Sequence, residues 1–297
     1  MTSITTSVII PNLDSPLVDR TLAALAADGA PGPGVEVLVV GRDAPGLVPR
    51  DGSIRFVETA EAVNPAAGRN RGVAEAQGER LLFTDADCAP RAGWRESLCR
   101  ALNASPVAGG AVTFEDDGNP WALADNIASF HELLEDRPAE HQSQGALGSL
   151  NLAATRDAWE RVGGFDEELA TSEDVDWVLR ARTAGLATAF EPRAVVEHGA
   201  VRRNRADLVR HATWYGRHFR AFCRRHPGLF GQGPTWKSRR RLALAAPLKS
   251  WTTAAAIFHR HPRLRRHLSV LPKVAVFKRA WYRAVLEHWE LEPGEDG

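Results

Sequence analysis

The chain has 297 residues, 44% of them hydrophobic and 25% charged, with 37 Lys+Arg against 37 Asp+Glu. That composition fits a globular chain with a sizeable core and excludes a disordered or collagen-like one. Cys88, Cys99 and Cys223 show no paired spacing, so neither a structural zinc site nor a disulfide framework is expected, and a reducing, cytoplasmic setting fits best. The opening MTSITTSVIIPNLD lacks the basic and apolar blocks of a signal peptide, and the longest apolar stretch, LALAAPLKSWTTAAAIF, is broken by Pro247 and Lys249, so no membrane span is expected.

Residues 1–200 alternate short β-branched runs with longer runs of helical period, the pattern of an α/β domain. SVIIP (7–11), VEVLVV (35–40), IRFVE (54–58) and RLLFT (80–84) read as strands, each apolar nearly throughout, as in a sheet covered on both faces. Between them, helices are predicted over 16–27, with Ser15 as N-cap, and over 65–77, with Asn64 as N-cap before a first-turn proline. CAPRAGW, after the fourth strand, opens a further helical segment. Asp85 and Asp87 then lie just past the carboxyl end of that strand, where open α/β sheets hold ligands.

A single aspartate there is an ordinary turn former or helix cap. An Asp-X-Asp pair, however, offers carboxylate oxygens to a hard divalent cation, Mg²⁺ or Mn²⁺, which keeps waters and shares substrate phosphates. Further on, Glu173, Asp174 and Asp176 open an amphipathic helix in which Val175, Leu179 and Arg182 follow at helical spacing. First-turn acids facing the helix dipole explain each of these singly; next to a metal site, one carboxylate is also a candidate general base.

SVIIP at the start, GRNRGVAEAQGERLLFTDADCAP (68–90), VGGFDEEL (162–169) and EDVDWVLRARTAG (173–185), in this order and at these spacings, resemble family 2 glycosyltransferases of the GT-A fold. The resemblance covers roughly residues 5–200, and HATWYGRHFRAFCRRHP (211–227) is similar to the basic helix that follows this domain in many bacterial members. It implies a GT-A domain over 1–200, a Rossmann-like mixed sheet flanked by helices, and a basic, mostly helical extension over 201–297. It further implies an inverting, metal-dependent transferase that moves a sugar from a nucleotide diphosphate sugar to an acceptor hydroxyl.

Carried over residue by residue, Asp85 faces the ribose or diphosphate, and Asp87 binds the Mn²⁺ or Mg²⁺ that bridges the donor phosphates. Asp174 is the base that deprotonates the acceptor, supported by Glu173. His198, after the apolar run AVVE, is either a second metal ligand or a half-buried histidine at a strand end. Pro11 and Asp43 are candidates for the nucleotide pocket. Arg69 and Arg71 could meet the nucleotide, and Arg180 either does so or braces the scaffold.

One departure from the family pattern stands out. After the second strand the family usually has Asp-Asp or Asp-Asn before Gly-Ser; here the chain has Gly41, Arg42, Asp43 and Ala44, which puts base recognition in doubt. Rival enzyme classes lack their signatures: PNLDSPL after the first strand is neither a glycine-rich phosphate loop nor GxGxxG. A noncatalytic nucleotide-sugar or glycan binding module descended from a transferase is the alternative, and Asp87 and Asp174 argue against it. Acceptor specificity is expected in 114–144 and in the tail, where Trp121, Phe130 and His131 are candidates for stacking on a sugar, although core packing explains them as well.

Charge divides the chain. From Gly199 onward there are 21 Lys+Arg and 6 Asp+Glu, which leaves 16 against 31 before it. Leu208, Ala212, Tyr215, Phe219 and Phe222 form one helical face in this basic tail, and basic clusters lie beside Trp236, Trp251, Trp281 and Trp289. The mixture suits an anionic membrane surface, placing the protein peripherally at the inner face of the plasma membrane with a lipid-linked acceptor in reach. No nucleic-acid motif is present, and nucleic acid is not an expected partner.

Overall fold

A computed structural model describes residues 3–290. Its described residues divide into two compact units: 3–113, 132–167 and 173–199 form the first, and 114–131, 168–172 and 200–290 the second.

The first unit is built on an eight-stranded mixed sheet. Its strands are β1 (Thr6–Leu13), β2 (Val35–Arg42), β3 (Arg55–Glu58), β4 (Arg80–Thr84), β5 (Cys88–Pro90), β6 (Val107–Phe114), β7 (Asn151–Thr155) and β8 (Thr188–His198), in the spatial order β3-β2-β1-β4-β7-β6-β8-β5. β1 pairs in parallel with β2 and β4, and β2 with β3, whereas β7 runs antiparallel to β4 and β5 antiparallel to β8. The four predicted strands are all present. Val8, Ile9, Ile10, Leu38, Leu81, Leu82 and Phe83 are wholly buried, which is why those runs are apolar at every position. Strand order reverses at β1 and β4, so the crevice past their carboxyl ends is the switch point where such sheets bind ligands.

Helices flank this sheet. α1 (Val18–Ala27) begins later than predicted: Ser15 does not cap it, because its hydroxyl accepts from the Leu17 N–H at 3.2 Å and donates to the Ala86 carbonyl at 3.1 Å. α2 (Pro65–Glu75) has Asn64 as its N-cap, the side chain accepting from the Ala67 N–H at 2.8 Å. It stops two residues short of the predicted end, where Arg156 takes the carbonyls of Ala76 and Gly78 at 2.8 and 3.0 Å. α3 (Trp94–Leu102) follows β5, a short strand with too few residues to show a period.

α5 (Arg156–Val162) and α6 (Glu173–Thr183) complete the unit. α6 turns a different face inward from the one its spacing suggests: Trp177, Val178 and Ala181 are buried, while Val175 and Leu179 are half-exposed. The cause is aromatic. Trp177 stacks on Trp159 at 5.4 Å between ring centroids, and Phe165 and Phe83 close the cluster.

The second unit is helical, comprising α4 (Pro120–Phe130), α7 (Arg205–Arg225), α8 (Arg239–Arg260), α9 (Leu271–Glu287) and short 3-10 turns. α9 packs on α4, α7 and α8. On α7, Leu208, Ala212 and Phe222 are buried, whereas Tyr215 and Phe219 are half-buried. Leu242, Ala246, Tyr282 and Val285 form a core ringed by Phe219, Trp236, Trp281 and Trp289. Trp236, Trp281 and Trp289 are thus internal to this unit, whereas Trp214 and Trp251, 40 and 52% exposed, face outward. No helix among the described residues is long and apolar enough to cross a membrane.

Candidate functional site

The turn after β4 carries Asp85 and Asp87, both half-buried. The chain reverses tightly there, with the Cys88 N–H bonded to the Asp85 carbonyl at 3.1 Å, and enters β5. Because β5 pairs with β8 so that Cys88 faces His198, the imidazole of a distant strand end comes beside the turn. The Gly199 N–H donates to the Asp87 carbonyl at 2.8 Å and locks this register.

His198 Nε2 lies 3.6 Å from Asp87 Oδ2, and Nδ1 is 3.0 Å from the Gly199 carbonyl. A carbonyl only accepts, so Nδ1 carries the proton there, and in the neutral ring Nε2 presents its lone pair toward Asp87. Metal-binding histidines have this arrangement, in which a backbone acceptor fixes the tautomer.

The ligand atoms of Asp87, Cys88 and His198 all lie within 4.8 Å of one another, a set that fits one divalent ion. Burial, with the charges of Asp87 and Asp85, pushes the Cys88 thiol well above its ordinary pKa. The carboxylate and the imidazole are a donor pair suited to Mn²⁺.

A buried ionic link ties this turn to α6. Arg69, on α2 and 2% exposed, donates to Asp85 at 2.5 Å and to Glu173 at 2.8 Å. Burial would pull its pKa down, but the negative charges of Asp85, Glu173 and Asp174 outweigh that and raise it. Burial likewise pushes Glu173 up to about 7, with the Asp174 charge adding and Arg69 opposing. With both of its outer nitrogens committed, Arg69 acts as a strut between the two acidic segments. Arg71 is exposed. Arg180 is scaffold: it bonds Asp176 and the carbonyls of Val162 and Gly164, each at 2.8 Å.

Asp174 is oriented by a residue the sequence reading did not single out. Ser149 donates to Asp174 Oδ2 from its backbone N–H at 2.8 Å and from its hydroxyl at 3.1 Å, while Oδ1 accepts from the Val175 N–H at 2.8 Å. Ser149 leads into β7, two residues before the strand begins. The signal lay in GSLN (148–151), a small residue before an apolar strand, but nothing in that spacing distinguishes it from a turn.

The nucleotide side of the crevice is shaped by β1 and β2. Asn12 donates to the Arg42 carbonyl at 2.7 Å and accepts from the Ser15 N–H at 3.2 Å, and Pro11 lies beneath Gly68 of α2. Gly41 has φ 132°, and a Cβ there would come 2.0 Å from the Asn12 carbonyl oxygen. The departure from the family pattern therefore begins at a position where the backbone admits only glycine. Asp43 accepts from the N–H groups of Leu47 and Val48 at 3.0 and 2.9 Å, and its side chain has no exposure. Its carboxylate closes the loop, so that a ligand on this side would meet the loop backbone.

In the second unit, Trp121 lies under the Lys273 ammonium, 5.2 Å from the ring centroid, and His131 meets His261 edge to face at 5.6 Å. Burial, then the nearby charge of Lys278, lowers His131 to about 3, so it is neutral at physiological pH.

Residues 7–152 match the model described as Glycosyl transferase family 2. A pre-mycofactocin glycosyltransferase of Mycobacterium tuberculosis is 31% identical over 179 residues, covering 59% of this chain and 38% of that protein. Glycosyltransferase AglE of Haloferax volcanii is 28% identical over 205 residues, covering 65% of this chain and 66% of its own. The chain thus spans well under half the length of the mycobacterial relative.

Among solved structures, the mannosyltransferase PcManGT from Pyrobaculum calidifontis, in complex with GDP-Man and Mn²⁺, superposes with a TM-score of 0.56 at 18% identity, over 98% of this chain and 88% of that one. TarS 1–349 of S. aureus gives 0.51 at 13% identity, over 94% and 90%. The mixed sheet flanked by helices is the GT-A fold of these neighbours.

Proposed function

Because residues 7–152 match the family 2 glycosyltransferase model, we propose that the chain transfers a sugar from a nucleotide diphosphate sugar to an acceptor hydroxyl with inversion at the anomeric carbon. The observation that carries the reading is the convergence, in one unit, of the Asp87–His198 pair and the Ser149-held Asp174, joined through Asp85, Arg69 and Glu173.

In this reading Asp87 and His198 hold the Mn²⁺ or Mg²⁺, and Asp85 meets the ribose or diphosphate. A divalent ion at this place neutralises the charge that the departing nucleoside diphosphate acquires. Asp174 accepts the proton of the acceptor hydroxyl as its oxygen forms the new bond from the face opposite the leaving group. Ser149 aims that carboxylate, and Glu173 fixes its helix through Arg69. Pro11 and the loop closed by Asp43 line the nucleotide pocket.

The GDP-Man and Mn²⁺ held by the archaeal neighbour make guanosine donors and Mn²⁺ the first ligands to test. The basic second unit supports a lipid-linked acceptor at the inner face of the plasma membrane. A thermal-shift screen of nucleoside diphosphates and nucleotide sugars, with and without Mn²⁺ or Mg²⁺, followed by anomeric analysis of the product, tests the proposal. A metal-dependent shift with one donor and an inverted product is expected. No donor-dependent shift with either ion, or a retained configuration, refutes it.

A further inference from the structure

On α8, Leu244, Leu248 and Trp251 are 78, 71 and 52% exposed. They recur at steps of four and three, so they form one row along the helix, and exposed Pro247 and Ala255 extend it. From Leu244 to Ala255 the row is about 16 Å long, at roughly 1.5 Å per residue. The opposite face, with Leu242, Ala246, Ser250, Ala254 and Ile257, is buried in the second unit, so the helix is apolar on both sides.

Charge brackets the row. Exposed Arg239, Arg240 and Arg241 stand at its head, and exposed Arg260, Arg263 and Arg265 follow its foot, where Leu268 is 50% exposed. No Asp or Glu occurs between Leu208 and Leu286.

We infer that this row is a membrane-docking edge: Leu244, Leu248 and Trp251 insert among the acyl chains of an anionic bilayer while the two arginine clusters meet lipid phosphates. A second copy of the chain fits poorly, because pairing the row with itself would bring the arginine clusters together. Elsewhere among the described residues the large exposed apolar side chains are Leu13, Val201, Trp214 and Leu229, and they form no comparable helical row. A lone apolar row with a tryptophan, flanked by cations and lacking acids, has the chemistry of an interfacial helix. The inference is independent of the transfer chemistry, since vesicle binding needs neither donor nor metal.

The test is co-sedimentation of the full chain with vesicles of phosphatidylcholine alone or mixed with phosphatidylglycerol. Binding is expected only to the anionic vesicles, weakening as salt rises. L248E and W251E should each lower the vesicle-bound fraction, on the order of tenfold, with an unchanged melting temperature. Brominated acyl chains should quench the fluorescence of bound protein, and W251F should lose much of that quenching while remaining bound.

Four results would overturn the inference. They are a chain that ignores anionic vesicles at low salt, L248E and W251E variants that bind as wild type, a row substitution that lowers the melting temperature and so marks internal packing, or one that splits a lipid-free dimer in light scattering.

Discussion

Asp87, Asp174 and Glu173 belong to one proposed site but are expected to fail differently when changed. D87N removes the carboxylate that faces His198 Nε2 and keeps its size, so metal-dependent donor binding should vanish in calorimetric titration while the melting temperature without metal stays near wild type. D174N should leave donor affinity near normal and lower kcat by roughly two or more orders of magnitude, the scale of a lost general base. S149A removes the hydroxyl bond to Asp174 and spares the backbone one, so its expected cost is smaller, about tenfold in kcat with KM unchanged.

Glu173 gives a pH signature. Its pKa is raised from 4.5 to about 7, so the folded state holds that proton more tightly than the unfolded chain. The associated stability is complete below about pH 4.5 and is lost as pH rises through about 7. E173Q cannot ionise, so melting temperatures recorded in chelator should show wild type losing ground to it across that window. Parallel pH profiles would mean that ionisation of this carboxyl costs the fold nothing.

At the scale of elements, the contrast between what the sequence disclosed and what it hid has a physical cause. The strands β1, β2 and β4 were legible because both faces of each are covered, and α2 because a proline follows Asn64 at the helix start. β5, three residues long, has no period to read, yet it brings Cys88 opposite His198. The aspartates were visible as a local pattern, whereas the Ser149–Asp174 contact joins segments that only the sheet and α6 bring together. The burial of Asp43 was hidden because an acid that closes its own loop has the same spelling as one that faces a ligand. A close approach elsewhere in the sheet offers a test: a Cβ on Gly110 of β6 would come 2.2 Å from the Ala194 carbonyl oxygen of β8 and 2.4 Å from Asn151 Nδ2. G110A should therefore lower the melting temperature sharply, since backbone cannot yield as a side-chain tip can. A melting curve like that of wild type would show that β6 and β8 separate without cost.

For the molecule as a whole, the interleaving of its two units decides how it can be cut. α4 is contributed by residues 120–130, yet it packs on α7 and α9 within the second unit, burying Ala122, Leu123, Ala124 and Ile127. A chain ended after residue 200 keeps α4 and loses both helices that cover it. Such a fragment should aggregate or bind a hydrophobic dye, and a soluble, monomeric fragment with the full-length circular dichroism of its sheet would contradict this.

The pairing of Cys88 with His198 also bears on biosynthesis. Asp87 and His198 meet only when β8 has come back to lie along β5, and β8 is the last strand of the sheet to be made. A growing polypeptide on the ribosome will already carry both aspartates long before the imidazole leaves the exit tunnel. Until then nothing it displays can hold the pair together, and the proposed ion site is complete only with the arrival of the final strand.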